Sequence, residues 1–313
     1  MSTSAALSII QNEFSRYASL LTIVGGVFGN ICILILFSRR WKNSCALCLL
    51  CAAIFNGLNI IVNVWSRLYA TFGPDMTNLN VDLCKLRYYS GHVWSQIGRY
   101  MVCLACIDRY FLVANNIRFR IINRPVVIRS IIGGIIVFWH IVGIHVVILT
   151  KIENGFCSQF GVYNLIYFVY TLIVVSFIPP LLMVVFGVRG YRVMKRLHAR
   201  IQPLGHTAAG NNGDTIVNRR DRELLYMVLV ESAVYVSTNV LFPLINLEIG
   251  ITNYMGRQKS PLYSQIELFL LNLGSVFIYF NNAVPFYTYL MASKTFRKDV
   301  KELFTKFWHR LVG

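Results

Sequence analysis

Seven apolar stretches run through the chain, each long enough to cross about 30 Å of hydrocarbon, which takes roughly 20 helical residues. Their approximate cores are residues 18–38, 46–69, 88–114, 130–150, 162–188, 224–249 and 264–291. In lipid, every backbone N–H and C=O must find its partner within the segment or within a closed barrel. Barrel strands alternate in polarity over about ten residues, whereas these runs are continuously apolar, so helices are the reading that fits. Charged residues make up 14% of the chain, against about 25% in soluble domains. The pattern predicts an all-α membrane protein, a seven-transmembrane helix bundle with a short amphipathic helix after it. The first run lacks a basic leader and a small-residue cleavage site, which reads as a retained span. The expected organisation is an extracellular tail over 1–17, the helical body over 18–291 and a cytoplasmic amphipathic helix and tail over 292–313.

The net charge of +17 would point to nucleic acid in a soluble protein, so the placement of the cations decides its meaning. Arg39, Arg40 and Lys42 follow the first run, and Arg109, Arg118, Arg120, Arg124 and Arg129 lie between the third and fourth. Eight more, from Arg189 to Arg222, join the fifth to the sixth, and six, from Lys294 to Arg310, fill the tail. Thus 22 of the 30 fall on one face, which the positive-inside rule makes cytoplasmic. A multi-pass protein of the plasma membrane with its N-terminus outside is expected, with the bilayer and not nucleic acid as its charged partner. Gln202 to Thr215, rich in Gly and Asn, reads as a loop. Phe296, Val300, Leu303, Phe304 and Phe307 recur at helical spacing with cations on the other faces, the pattern of a helix lying along a membrane surface.

The third run ends in Asp108-Arg109-Tyr110, an acid beside an arginine at the membrane edge, where an unpaired guanidinium would be costly. By itself the tripeptide also fits a positive-inside anchor. Taken with Gly29-Asn30, Trp139, Pro179-Pro180, Pro243 and Pro285 in the other runs, the chain resembles rhodopsin-like G-protein-coupled receptors over about residues 18–309. The ending Asn281-Asn282-Ala283-Val284-Pro285-Phe286-Tyr287 is further similar to divergent invertebrate FMRFamide-type peptide receptors. The resemblance implies a disulfide between Cys84, about 37 Å above Arg109 along the same helix, and Cys157 in the next outer loop. It also implies that Asp108, Arg109 and Tyr110 form the G-protein-coupling end, with Glu223 holding Arg109 in the resting state. Asn30, Asn56, Trp139, Pro180, Pro243 and Pro285 become its packing and switch positions.

Several landmarks depart from that pattern. Asn56 stands where relatives place a sodium-binding Asp, and Gly98 replaces a hydroxyl residue opposite it. Val240-Leu241-Phe242 carries no tryptophan before Pro243, and Val284 precedes Pro285, leaving Tyr287 or Tyr289 to stand in for the usual switch tyrosine. Arg99 lies about 15 Å into the membrane, where an ionisable group is a functional candidate by default, and Glu231 has the depth to be its partner. Cys45, Cys48 and Cys51 lack a fourth ligand and read as small packing residues. His140 and His145, five apart, fall on different helical faces. With no nucleophile elbow, phosphate loop or paired carboxylates, the chain reads as a non-enzyme without metal or cofactor.

The expected function is a receptor that transmits an extracellular binding event to a cytoplasmic heterotrimeric G protein through outward movement of the sixth helix. A seven-helix ligand-gated chemosensory channel, whose N-terminus would be cytoplasmic, and a membrane transporter are the rival classes. Gly91 occupies the position of the acid that pairs with ligand ammonium in amine receptors, which argues against a monoamine. Arg67, Arg87, His92, Gln96, Glu248 and Glu267 lie in the outer thirds of the helices, and such a mixed-charge mouth favours a short peptide. These same residues also fit a solvated rim.

Overall fold

The computed structural model describes residues 3–113, 125–201 and 212–312. Arg118, Arg120, Arg124 and most of the expected loop, 202–211, lie outside the described residues. Helix α1 (Thr3–Ser38) is followed by α2, which spans Ser44–Tyr69 and contains a π turn over Ile60–Val64. Helix α3 covers Val81–Val113, and α4 covers Pro125–Val142 and resumes after Gly143 as Ile144–Leu149. A hairpin of β1 (Thr150–Glu153) and β2 (Phe156–Gln159) turns through Asn154-Gly155, both at positive φ. Helix α5 runs from Gly161 to Ile201 with a π segment at Thr171–Phe177. Helix α6 comprises Asn212–Thr238 and Leu241–Tyr254, α7 comprises Pro261–Ala283 and Pro285–Ala292, and α8 is Lys294–Val312.

Six of these helices, α1, α2, α4, α5, α6 and α7, are long and apolar enough to cross a membrane, so the chain is a multi-pass helical membrane protein. Helix α3 has the length, 33 residues, but a more polar composition. Its position explains why: no residue from Ser90 to Arg109 is exposed, so protein surrounds this helix over that length. A helix enclosed by protein can carry His92, Gln96, Arg99 and Asp108 without presenting them to hydrocarbon.

The expected polar tail over 1–17 is instead the first half of α1. Ser15 is buried because Asn272 of α7 donates to its Oγ (2.6 Å), and Arg16 reaches the Thr71 carbonyl (3.1 Å) and lies over the Phe72 ring. Polar residues there bind protein groups beyond the apolar span. Lower down, Asn30 donates to the carbonyls of Gly26 and Asn282 (2.8 and 2.9 Å), joining α1 to α7. Gly26 permits that approach: a Cβ there would stand 2.5 Å from Ile60 Cδ1 and 2.8 Å from the Ala283 Cβ.

Proline punctuates the bundle. Neither Pro179 nor Pro180 can donate to the turn before it, and in that turn the Val174 and Val175 carbonyls accept from Tyr100 Oη (3.5 Å) and Tyr235 Oη (3.1 Å). Helix α6 breaks at Asn239-Val240 ahead of buried Pro243, and α7 breaks at Val284 ahead of buried Pro285. Trp139 is almost wholly buried against Tyr100 and His92.

Candidate functional site

A cavity of about 950 Å³ opens between the helices at the end of the bundle that carries the hairpin. Cys84 at the top of α3 is joined to Cys157 on β2 by a disulfide, with Cα atoms 5.7 Å apart. Asn78 Oδ1 accepts from the Cys157 amide (2.9 Å) and Tyr88 Oη donates to its carbonyl (3.2 Å), so β2 lies fixed across one side of the opening. The sequence patterns did not reveal this hairpin; Asn154-Gly155 between two short β-prone runs is the signal that could have found it.

The wall is built on helical phase. Tyr88, Gly91, His92, Ser95, Gln96 and Arg99 recur at three- and four-residue spacing on α3 and all line the cavity. The distance from Arg87 to Arg99 along the helix is about 18 Å, which sets the cavity's depth along this wall. Opposite stand Arg67 of α2, Tyr167 and Phe168 of α5, Phe242 and Pro243 of α6, and Asn272 and Tyr279 of α7. His92 Nε2 is 3.0 Å from Tyr170 Oη, within a ring cluster that includes His145, whose Nδ1 is 2.7 Å from Tyr163 Oη.

Arg67, Arg87, His92 and Gln96 therefore meet in one cavity, but Glu248 and Glu267 do not line it. Glu248 accepts from Tyr263 Oη (2.7 Å), and Glu267 forms an ion pair with Lys259. The expected mixed-charge mouth loses both of its acids to this separate cluster. Asp75, in the loop before α3, is the acidic residue on the cavity wall, and it pairs with Arg87 (2.9 Å). Burial pushes the Asp75 carboxyl up, but hydrogen bonds from the Thr77 hydroxyl and amide and the Arg87 charge outweigh it and hold the group below the usual carboxylate range.

At the floor Arg99 sits over the Tyr235 ring, 5.6 Å from its centroid, and not against Glu231 as expected. Glu231 instead accepts from Tyr289 Oη (2.5 Å), and both are buried. Tyr289 thus takes the inward position that was open between two tyrosines, while Tyr287 is exposed and donates to the Gly25 carbonyl (3.1 Å). A second space of about 30 Å³, large enough for a water, lies below the floor among Asn56, Gly98, Arg99, Glu231 and Asn282. Asn56 fills the room that Gly98 leaves: a Cβ there would be 2.8 Å from Asn56 Oδ1. Cys45 and Cys48 are buried in the α2 core and Cys51 is half-buried.

The opposite end of α3 holds the buried pair Asp108–Arg109, with Arg109 Nη2 and Nε at 2.5 and 3.0 Å from one carboxylate oxygen. The Tyr110 ring lies 5.7 Å from those of Phe111 and of Phe186 on α5, tilted against both. Glu223 of α6 directs Oε2 not to Arg109 but to Ser293 Oγ (2.5 Å) and the Thr295 amide (2.7 Å) at the start of α8. Ser293 in turn accepts from the Phe296 amide (3.0 Å), and Arg40 pairs with Asp299. Phe296 and Val300 are buried against the bundle, whereas Phe304, Phe307 and Trp308 remain exposed along α8.

No known protein-family profile matches the chain, and no curated protein matches it.

Proposed function

We propose that the chain is a seven-helix receptor of the rhodopsin-like kind, in which α3 is the seventh span. It takes an extracellular ligand in the large cavity and signals to a cytoplasmic heterotrimeric G protein. The observation that carries the reading is the division of α3: one length lines an open cavity, and its far end carries a buried Asp108–Arg109 pair. A helix so enclosed links two sites at its ends, as coupling between a ligand and an effector requires. The charge asymmetry of the sequence supports a plasma-membrane orientation with the N-terminus, cavity and disulfide outside and Arg109 and α8 inside.

Between the two ends lie side chains that can be repacked together. Arg99 touches Tyr235, Tyr235 holds the π segment of α5, and one turn on Glu231 of the same helix holds Tyr289 of α7. Below Tyr289, Phe296 and Phe37 complete an aromatic contact with α8 and α1. A ligand that favours one arrangement of Arg99 and Tyr235 would bias α6, in proportion to its differential affinity for the two states. A small amine is disfavoured, since Asp75 is already paired with Arg87 and Gly91 brings no charge. A short peptide suits the volume, the 18 Å depth and the polar lining.

The test is a ligand screen with second-messenger readout in cells expressing the full chain, together with an epitope tag at residue 1. Signalling abolished by Arg109→Ala with ligand binding retained is the expected result. A tag reached only after permeabilisation, with ligand-gated current in place of second messenger, would replace the receptor with a channel.

A further inference from the structure

We propose that the ligand carries a carboxylate, received by the cationic lining of the large cavity, with Arg99 at the floor, Gln96 a turn above it on the same helix, and Arg67 on the facing wall. This deepens the receptor reading and rests on it for the identity of the site. Among the described residues, four charged side chains line the cavity: Arg67, Asp75, Arg87 and Arg99. Asp75 and Arg87 neutralise each other, which leaves two guanidinium groups with no carboxylate within ion-pair distance among the described residues. Arg67 gives one N–H to the Asn272 carbonyl (3.3 Å), and its buried Nε has no hydrogen-bond partner. Each guanidinium also lies over a ring face, Arg67 over Tyr279 and Arg99 over Tyr235. Gln96 is fully buried, on the α3 face that lines the cavity, and neither its amide nitrogen nor its amide oxygen has a partner.

The buried Arg67 Nε and Gln96 amide, left without hydrogen bonds, raise the free energy of the empty protein. A carboxylate offers two acceptor oxygens and matches the fork of a guanidinium, so it suits a cavity whose lining presents two unpaired guanidinium groups and the Gln96 amide. Tyr167, Phe168, Phe242 and Tyr279 around these groups supply apolar walls for an aromatic or aliphatic body attached to the acid. Because Arg99 also rests on Tyr235, an anion drawn to it alters a ring that bonds the π segment of α5. The same group that gives affinity is therefore placed to bias the helices.

The experiment uses the full chain purified in detergent and compares N-acetyl-diphenylalanine as the free acid with its C-terminal amide, by thermal shift and by titration. The acid should stabilise the wild-type protein with a Kd at least about tenfold below that of the amide, the ratio expected when a half-buried guanidinium loses its counter-charge. In Arg99→Gln and Arg67→Gln that ratio should fall towards one. Each variant without ligand should be at least as stable as the wild type, because an uncompensated cation has been removed. Equal shifts from acid and amide, no shift from the acid, or an undiminished ratio in both variants overturns the proposal. So does a ratio lost only with a lowered melting temperature of both empty variants, which would mark Arg67 and Arg99 as structural. The measurement needs no G protein, so a carboxylate-selective cavity in a chain that elicits no second messenger would remove the receptor reading and leave this one standing.

Discussion

Removing the Ser293 hydroxyl should release α6 from α8 and do so through Glu223. In the structure one carboxylate oxygen of Glu223 takes the Ser293 hydroxyl (2.5 Å) and the Thr295 amide (2.7 Å), while the Ser293 oxygen caps the Phe296 amide (3.0 Å). A hydrogen bond to a charged group is worth about 1.5–3 kcal/mol, and loss of a serine cap about 1 kcal/mol. With partial exposure of Glu223, about 2 kcal/mol of the hold on α6 is a fair figure for Ser293→Ala. If a displaced α6 is populated at about 1% in the resting protein, a change of that size, about 30-fold, raises it to about a quarter. Genetically encoded spin labels at Lys42 and Arg222, both exposed, report the separation of α6 from the α1–α2 turn. Glu223→Ala and Ser293→Ala should each populate a longer distance and raise basal second-messenger output, and the double variant should add little to either. Were Arg109 the holder of Glu223, the non-additive pair would be Glu223→Ala with Arg109→Ala, and Ser293→Ala would be silent. That outcome refutes the capping account.

Cleavage and mass spectrometry without reduction should recover Cys84 and Cys157 in one linked peptide. Cys84→Ser should lower surface expression, since opening a 73-residue loop costs at most about 4 kcal/mol by chain entropy and less where the helices persist in the unfolded state. Tyr289→Phe removes the buried donor to Glu231 and should lower stability by about 1.5–3 kcal/mol, read as a fall in melting temperature that Glu231→Gln with Tyr289→Phe does not double. Asp75 has its folded-state acidity held below the unfolded value, so its contribution is full above about pH 4 and is lost as pH falls through the folded value. The gap in melting temperature between wild type and Asp75→Asn should be constant above that pH and close below it. Gly26→Ala should cost about 1–3 kcal/mol through overpacking against Ile60 and Ala283, measured by the same thermal assay.

What hydropathy and spacing could reach, and what they could not, divides along one physical line. The bilayer dictates length and apolar composition, so six spans stand in the sequence as continuous runs. Helix α3 answers to protein neighbours, and its polar residues are meaningful only once its surroundings are known. Depth along a helix is also legible, at 1.5 Å per residue, which is why Arg67, Arg87, His92 and Gln96 could be grouped in the outer thirds of the helices. Direction is not legible without the packing. Glu248 and Glu267 have the right depth and face a neighbouring lysine and tyrosine instead of the cavity, and Glu231 has the depth of Arg99 yet faces Tyr289. Each of these three carboxylates finds a donor on a helix or loop far off in sequence, or across a turn whose geometry the pattern does not encode. The consequence is chemical as well as geometric: moving two acids out of the cavity and a third away from Arg99 changes the expected site from mixed charge to an excess of two cations. A ligand chosen from sequence depth alone would carry charges of both signs, whereas one chosen from the packed structure carries an acid.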